Sequence, residues 1–469
     1  MQASARRLRA QIDLSRRSGA ERASLLRWGW EASALPRWPF ALPFVGYPVA
    51  WLLGVGDLIW PLAALVMLGF LLRSRDVCVP RGSLTWFAFL MWVACSMVAI
   101  DTFGRVIGAG YRLALYMAAA IMAMYVYNSW KTLTLRFVTG VMTVFLGIMT
   151  AGGCIAMLFP RLTFVTPLYF LVPGSLRSNE LINEMIIRRV TQWTANTWIP
   201  QDPRPSAPFV YTNTWGNVYS LVLPLAVLYL VQVWHTRRRL PVLLLILASL
   251  IPAASTLNRG MYIGLGIVAI WYLIQAFRRG AFREVAIVLF VSAAGVVAVL
   301  LSSLGDRLVT RVATTSSTED RAELYLTTLM ETLQSPIFGY GAPRPAAAPW
   351  LPSLGTQGQF WTVLFSHGVI GAVLFIGFLA SRWVRSIRRT DVAGAVLGGL
   401  ILATLVETAY YGMMTGIAFT FVAIALAERP DTRILRHPQN EPRLVGVSKP
   451  GSSGRSGRTQ PIGQRSAQV

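Results

Sequence analysis

Apolar runs of roughly 20 residues, bounded by Pro, Gly or charge, recur along most of the chain, and a helix needs about that many to cross a hydrocarbon core. They predict spans near 38–53, 57–72, 84–100, 106–128, 133–159 and 213–234, then near 240–255, 260–277, 284–304, 357–381, 391–408 and 412–427. The expected fold class is all-α, a polytopic transmembrane helical bundle of about 12 spans. Two outer connections, 160–212 and 305–356, are far longer than a turn and rich enough in apolar residues to be structured. In the first, Leu181, Ile182, Met185, Ile186 and Val190 fall at near-helical spacing beside Asn183, Glu184 and Arg188, which predicts a short amphipathic helix lying on the outer leaflet. In the second, Ser316-Ser317-Thr318-Glu319 reads as a helix start and Gln334-Ser335-Pro336 as its end.

Composition agrees with the pattern: 13% of residues are charged and 54% hydrophobic, against about 25% charged in an ordinary soluble domain. The formal charge of +23 raises nucleic-acid binding as a function. Its distribution excludes that, because most arginines lie in short segments between apolar runs or in the two tails. Orientation in the membrane and attraction to anionic membrane lipid account for it. The chain divides into a basic cytoplasmic arm (1–37), a membrane domain (38–427) and a disordered cytoplasmic tail (428–469) rich in Pro, Gly, Ser and Arg. With the N-terminus inside, the connections carrying Arg73, Arg75 and Arg81, then Lys131 and Arg136, Arg237 to Arg239, Arg278 to Arg283, and Arg382 to Arg389 all fall on the cytoplasmic side, as does the C-terminus. Cys78, Cys95 and Cys154 lack CxxC spacing, so neither a zinc site nor a disulfide framework is expected, and no cofactor or metal motif is visible.

The informative charges are the arginines that this sorting leaves on the outer side or within spans, among them Arg105, Arg161, Arg177, Arg188, Arg189, Arg204 and Arg344. Arg112 lies several residues into the fourth span and Arg259 opens the eighth, where a cation is costly and a functional partner is the default reading. Guanidinium forks suit phosphate, so a diphosphate at the outer surface fits such a cluster better than a neutral sugar does. Salt bridging to Asp101, Asp306, Asp320, Glu323, Glu331 or Glu407 is the alternative for any one of them, least so for Arg259 and Arg321. Candidate bases are few. His235 and His437 are cytoplasmic in this topology, leaving His367, about ten residues into its span, and Glu407 near the outer end of another.

Four stretches, in order, resemble the O-antigen ligase and O-antigen polymerase superfamily of bacterial membrane glycosyltransferases. They are Tyr211-Thr212-Asn213-Thr214-Trp215-Gly216-Asn217 leading into Leu223-Pro224-Leu225; Ser255-Thr256-Leu257-Asn258-Arg259-Gly260; Arg321 followed by Ser335-Pro336-Ile337-Phe338-Gly339-Tyr340-Gly341; and Gly355-Thr356-Gln357-Gly358-Gln359-Phe360 running into His367-Gly368. The resemblance covers about residues 205–380. It implies a glycan donor linked to undecaprenyl diphosphate at the outer face of the cytoplasmic membrane, transfer with inversion to a hydroxyl of a glycan or other envelope acceptor, and Arg259 and Arg321 holding the diphosphate. Ligases of the family carry a His-Asn pair where this chain has Gln357-Gly358. Glutamine takes no proton at neutral pH, so polymerase-type transfer is as well supported as ligation. Two other readings stand beside these: a transporter or flippase of a lipid-linked or anionic precursor, and a transferase using polyprenyl monophosphate sugars with Asp57 or Asp101 as base.

Overall fold

The structure of the protein, a computed structural model, describes residues 35–74, 77–192, 203–300, 317–345 and 353–429, with only the backbone of 296, 298–300 and 317–321. The basic arm up to residue 34, the tail from residue 430, Asp306, Arg307, Arg311 and the helix start at Ser316 lie outside the described residues.

Helices occupy all twelve ranges in which a span is predicted. They are α1 (Trp38–Val45) with α2 (Tyr47–Leu53), α3 (Ile59–Arg73), α4 (Leu84–Ser96), α5 (Phe103–Asn128) and α6 (Leu135–Leu158). After two short helices of the first outer connection, α7 (Leu168–Leu171) and α8 (Glu180–Ile186), come α9 (Thr212–Val233), α10 (Arg239–Ser255), α11 (Arg259–Arg278) and α12 (Phe282–Leu300). The second outer connection contributes α13 (Ser317–Gln334), followed by α14 (Gln359–Ser386), α15 (Val392–Glu407) and α16 (Gly416–Glu428). Among the described residues five helices, α5, α6, α9, α11 and α14, are long and apolar enough to cross a bilayer, and shorter apolar helices accompany them. The protein is therefore a mostly helical, membrane-embedded chain, as helices satisfy every backbone polar group within the segment that lipid surrounds.

Interlocking aromatic side chains hold the bundle. The Phe44 ring meets Trp60, Phe145 and Phe419 edge-on at centroid distances of 5.3–5.8 Å, joining α1, α3, α6 and α16. Trp86 lies between Phe89, Phe378 and Phe421, joining α4, α14 and α16. Polar contacts show which ends of the helices lie together. Tyr125 and Thr132 hydroxyls donate to the carbonyls of Pro36 and Leu35, and the fully buried Arg429 donates to those of Val126 and Leu133. The first and last described segments thus meet at one end of the bundle, beside the connection from α5 to α6.

Two expectations are corrected. The predicted span 38–53 is two helices hinged at Gly46, because Pro43 and Pro48 each withdraw a backbone donor. The first outer connection also carries short strands: β1 (Thr163–Val165) pairs antiparallel with β2 (Ile187–Arg189), and β3 (Thr191–Gln192) with β4 (Arg204–Pro205). The predicted amphipathic helix accordingly stops at Ile186, where the chain turns extended so that Arg188 can reach Asp57 at 2.7 Å. Its apolar side, Met185 and Ile186, is buried in protein instead of lying on a leaflet. The helix expected to end at Gln334-Ser335-Pro336 does end at Gln334.

Candidate functional site

At the other end of the bundle, α9, α11 and α15 meet around one carboxyl group. Glu407, the last residue of α15, is fully buried; Asn217 Nδ2 donates to one of its oxygens at 2.6 Å and Ser220 Oγ to the other at 2.7 Å. Asn217 and Ser220 are three apart on α9 and so share a face. On α11 the facing residue is Gly264, where even a methyl group would lie 1.8 Å from a Glu407 oxygen, so only glycine leaves the carboxyl group its place.

The turn that follows, 408–415, holds the neighbouring elements. Backbone N–H groups of Gln359 and Phe360, two of the unpaired donors at the start of α14, reach the carbonyls of Tyr411 and Thr408 at 2.7 and 2.8 Å. The Gln359 side chain is engaged at both ends: Nε2 donates to Tyr116 Oη at 2.5 Å and Oε1 accepts from the Met413 N–H at 2.9 Å. The Tyr411 hydroxyl donates to Asn258 Oδ1, and Tyr410 to the Gly260 carbonyl. Arg259, half-buried between them, is the first residue of α11, with Asn258 in the cap position. Helix α13 lies against the same turn: Tyr325 stacks on Trp361 at 4.5 Å, and its hydroxyl lies 3.3 Å from both the Ala409 and the Gln357 carbonyl, either of which can accept its proton. Arg321 is one turn before Tyr325 on the same face of α13, and its side chain lies outside the described residues.

Helix α14 breaks at Gly368, whose φ of +67° puts it in the left-handed region. The loop Ser335–Gly341 fills the break. Carbonyls of Phe365, Ser366 and His367 accept from the Tyr340 N–H, the Gly341 N–H and Trp92 Nε1, while the Val369 N–H donates to Pro336. Every group freed by the kink that these bonds involve is satisfied by another segment. Arg105 locks the loop from outside, donating to the carbonyls of Tyr340, Ala342 and Pro343. His367 at the break is 3% exposed, with Nδ1 2.7 Å from Ser96 Oγ. Ser96 Oγ is also 2.7 Å from the Val93 carbonyl, so the hydroxyl links His367 to the backbone of α4. Arg112 is close enough to His367, Tyr116 and Tyr111 to act on them electrostatically, and makes no ion pair among the described residues.

Most other outer arginines are committed to structure. Arg105 and Arg344 both pair with Asp101, whose carboxyl group the Arg105 hydrogen bond pulls below the usual range. Arg188 pairs with Asp57, and Arg177 covers the Tyr169 ring at 4.1 Å. Both aspartates considered as bases are thus ion-paired. Asn213 lies half-buried on the first turn of α9, and Gln357 is half-buried just ahead of α14. No cluster of His, Cys, Asp and Glu able to hold a metal is found among the described residues.

Asn217 with Glu407, Gln359 with the Tyr411 turn that holds Asn258 beside Arg259, and Arg112 with His367 are therefore adjoining parts of one end of the bundle. Sequence reasoning missed Ser96, Tyr116, Ser220, Tyr410 and Tyr411, small or aromatic residues within apolar runs that carry no pattern of their own. Compared with known proteins, the chain matches no family model and no curated protein.

Proposed function

We propose that the chain is a glycosyltransferase of the O-antigen ligase and polymerase type, moving a glycan from undecaprenyl diphosphate to an acceptor hydroxyl at the outer face of the bacterial cytoplasmic membrane. In this reading the body crosses about twelve times with both termini in the cytoplasm. The observation that carries it is convergence. The stretches that resemble the family are spread over some 150 residues, yet Asn217, Asn258, the 335–341 loop, Gln359 and His367 all belong to one contact system built on Glu407, the 408–415 turn and the Gly368 break.

The attacking hydroxyl forms a bond to the anomeric carbon as the bond to the diphosphate breaks, and negative charge grows on the leaving group. Arg259 at the N-terminus of α11, Arg112 and Arg321 supply cations for that charge, and the N–H groups of the helix start add to them. With Glu407 fully buried and His367 nearly so, both act as positioning groups: Glu407 fixes α9 against α11, and His367 holds the α14 break beside Arg112. The hydroxyl proton then passes to the departing diphosphate oxygens.

The test uses purified protein in nanodiscs with an oligosaccharide linked to undecaprenyl diphosphate. Release of free undecaprenyl diphosphate by wild type, lost in Arg259→Ala, is the expected result, and product length separates polymerisation from ligation. The Gly368 break also favours a second reading, because interrupted helices near intramembrane charge are a transporter feature. No release, with the lipid crossing between leaflets, would move the protein to that class.

A further inference from the structure

At the end of the bundle away from this site, α4, α5, α14 and α16 leave a small, half-open cleft of about 30 Å³. Its walls are apolar, formed among others by Trp86, Phe87, Ala123 and Phe421, and its polar lining includes Arg382 and Glu428. Phe87 is 42% exposed and Met91, one turn on, 68%, so the cleft opens on a surface that only lipid would cover.

Arg382 is the unusual group. Its side chain is 1% exposed, and one terminal nitrogen donates to Glu428 at 2.7 Å and to the Arg81 carbonyl at 2.6 Å. The guanidinium lies over the Phe378 ring at 4.6 Å, and its Nε and other terminal nitrogen are buried without a hydrogen-bond partner. A buried guanidinium with two unused donors is costly, and an acceptor entering beside it would relieve that cost. Arg385, whose side chain is 46% exposed, stands at the same place 3.8 Å from Glu428, so two guanidinium groups share one carboxylate. An apolar slot ending in excess positive charge matches one kind of molecule, a chain with an anionic head.

We infer that this cleft binds an anionic phospholipid from the leaflet at the Arg382 end, one acyl chain lying along Trp86, Phe87 and Ala123 and the phosphate engaging Arg382 and Arg385. Basic recesses between membrane helices are sites where such headgroups gather.

The full-length protein is reconstituted in phosphatidylcholine nanodiscs containing a trace of phosphatidylglycerol that bears a diazirine on one acyl chain, and the labelled peptides are mapped by mass spectrometry. Labelling should concentrate on Leu84–Ser96 and Phe103–Asn128, and unlabelled phosphatidylglycerol should compete for it several-fold better than added phosphatidylcholine. Ala123→Trp, which fills the slot, and Arg385→Gln, which leaves the buried pair intact, should each lower it several-fold. Equal competition by phosphatidylcholine, displacement by inorganic phosphate alone, or unchanged labelling in both variants would overturn the inference.

Discussion

Each candidate residue differs in how much of its surroundings the sequence discloses. Arg112 and Arg259 are conspicuous because a cation within an apolar run is expensive, and that argument needs no structure. Glu407 is conspicuous for the same reason, but its partners Asn217 and Ser220 lie nearly 200 positions away and no local pattern links them. Removing a preorganised donor from a developing charge costs about 10²–10³ in rate, so Arg259→Ala and Arg112→Ala should each lower undecaprenyl diphosphate release by about that factor. Insertion and thermal stability should stay near wild type, and Arg238→Ala, at the opposite end, should be close to silent. Glu184 gives a separate test outside the spans. Burial raises its carboxyl group from 4.5 to about 7, with the Tyr211 hydroxyl donating at 2.6 Å as a smaller opposing effect. A raised acid favours the folded state while protonated, so that stability is present below about 4.5 and is lost as pH rises through about 7. Unfolding midpoints in nanodiscs at about pH 5 and about pH 8 should therefore differ more for wild type than for Glu184→Gln.

Among the elements, the apolar runs place the helices to within a few residues, because run length and hydropathy alone determine where a chain can be helical in lipid. What they do not disclose is where a helix is interrupted. The run through 357–381 reads as continuous, yet α14 breaks at Gly368, and the cause is the Ser335–Gly341 loop, about thirty residues earlier, which supplies the missing hydrogen bonds. The extended turn after Ile186 was hidden likewise, since its cause is the Asp57 partner of Arg188. Gly368→Ala tests the loop and helix as one unit. With ψ at −172° this backbone is one that essentially only glycine adopts, costing an L-residue about 1–3 kcal/mol, and the added methyl group would lie 2.1 Å from the Ile337 carbonyl oxygen. The variant should insert normally but release the loop, seen as faster hydrogen exchange of the Tyr340 and Gly341 amides and a sharp loss of transfer. Slow exchange equal to wild type would mean that the loop is held by other contacts.

For the whole molecule, the predicted topology makes a demand that the packing already meets in part. An even number of crossings returns the C-terminus to the side on which the chain enters, and Leu35, Pro36 and Arg429 do gather on the connection from α5 to α6. The same end collects the Arg81 carbonyl with Arg382 and Arg385, and Gln275 with the Ile387 carbonyl, so the arginine-rich connections form one surface. Ion pairs form at both ends: Arg105, Arg188 and Arg344 with Asp101 or Asp57 at one, and Arg382, Arg385 and Arg389 with Glu428 or Asp391 at the other. In the proposed topology the Arg382 end, where the arginine-rich connections gather, faces the cytoplasm. Single cysteines at Arg238 and Arg388, in a chain with Cys78, Cys95 and Cys154 replaced by Ala, should then resist an impermeant maleimide in intact cells and react once the membrane is opened. A cysteine at Arg161 should react in intact cells. The reverse pattern would put the Arg259 end inside, where a donor presented at the outer face could not reach it, and the proposed transfer would fail on topology before any chemistry was measured.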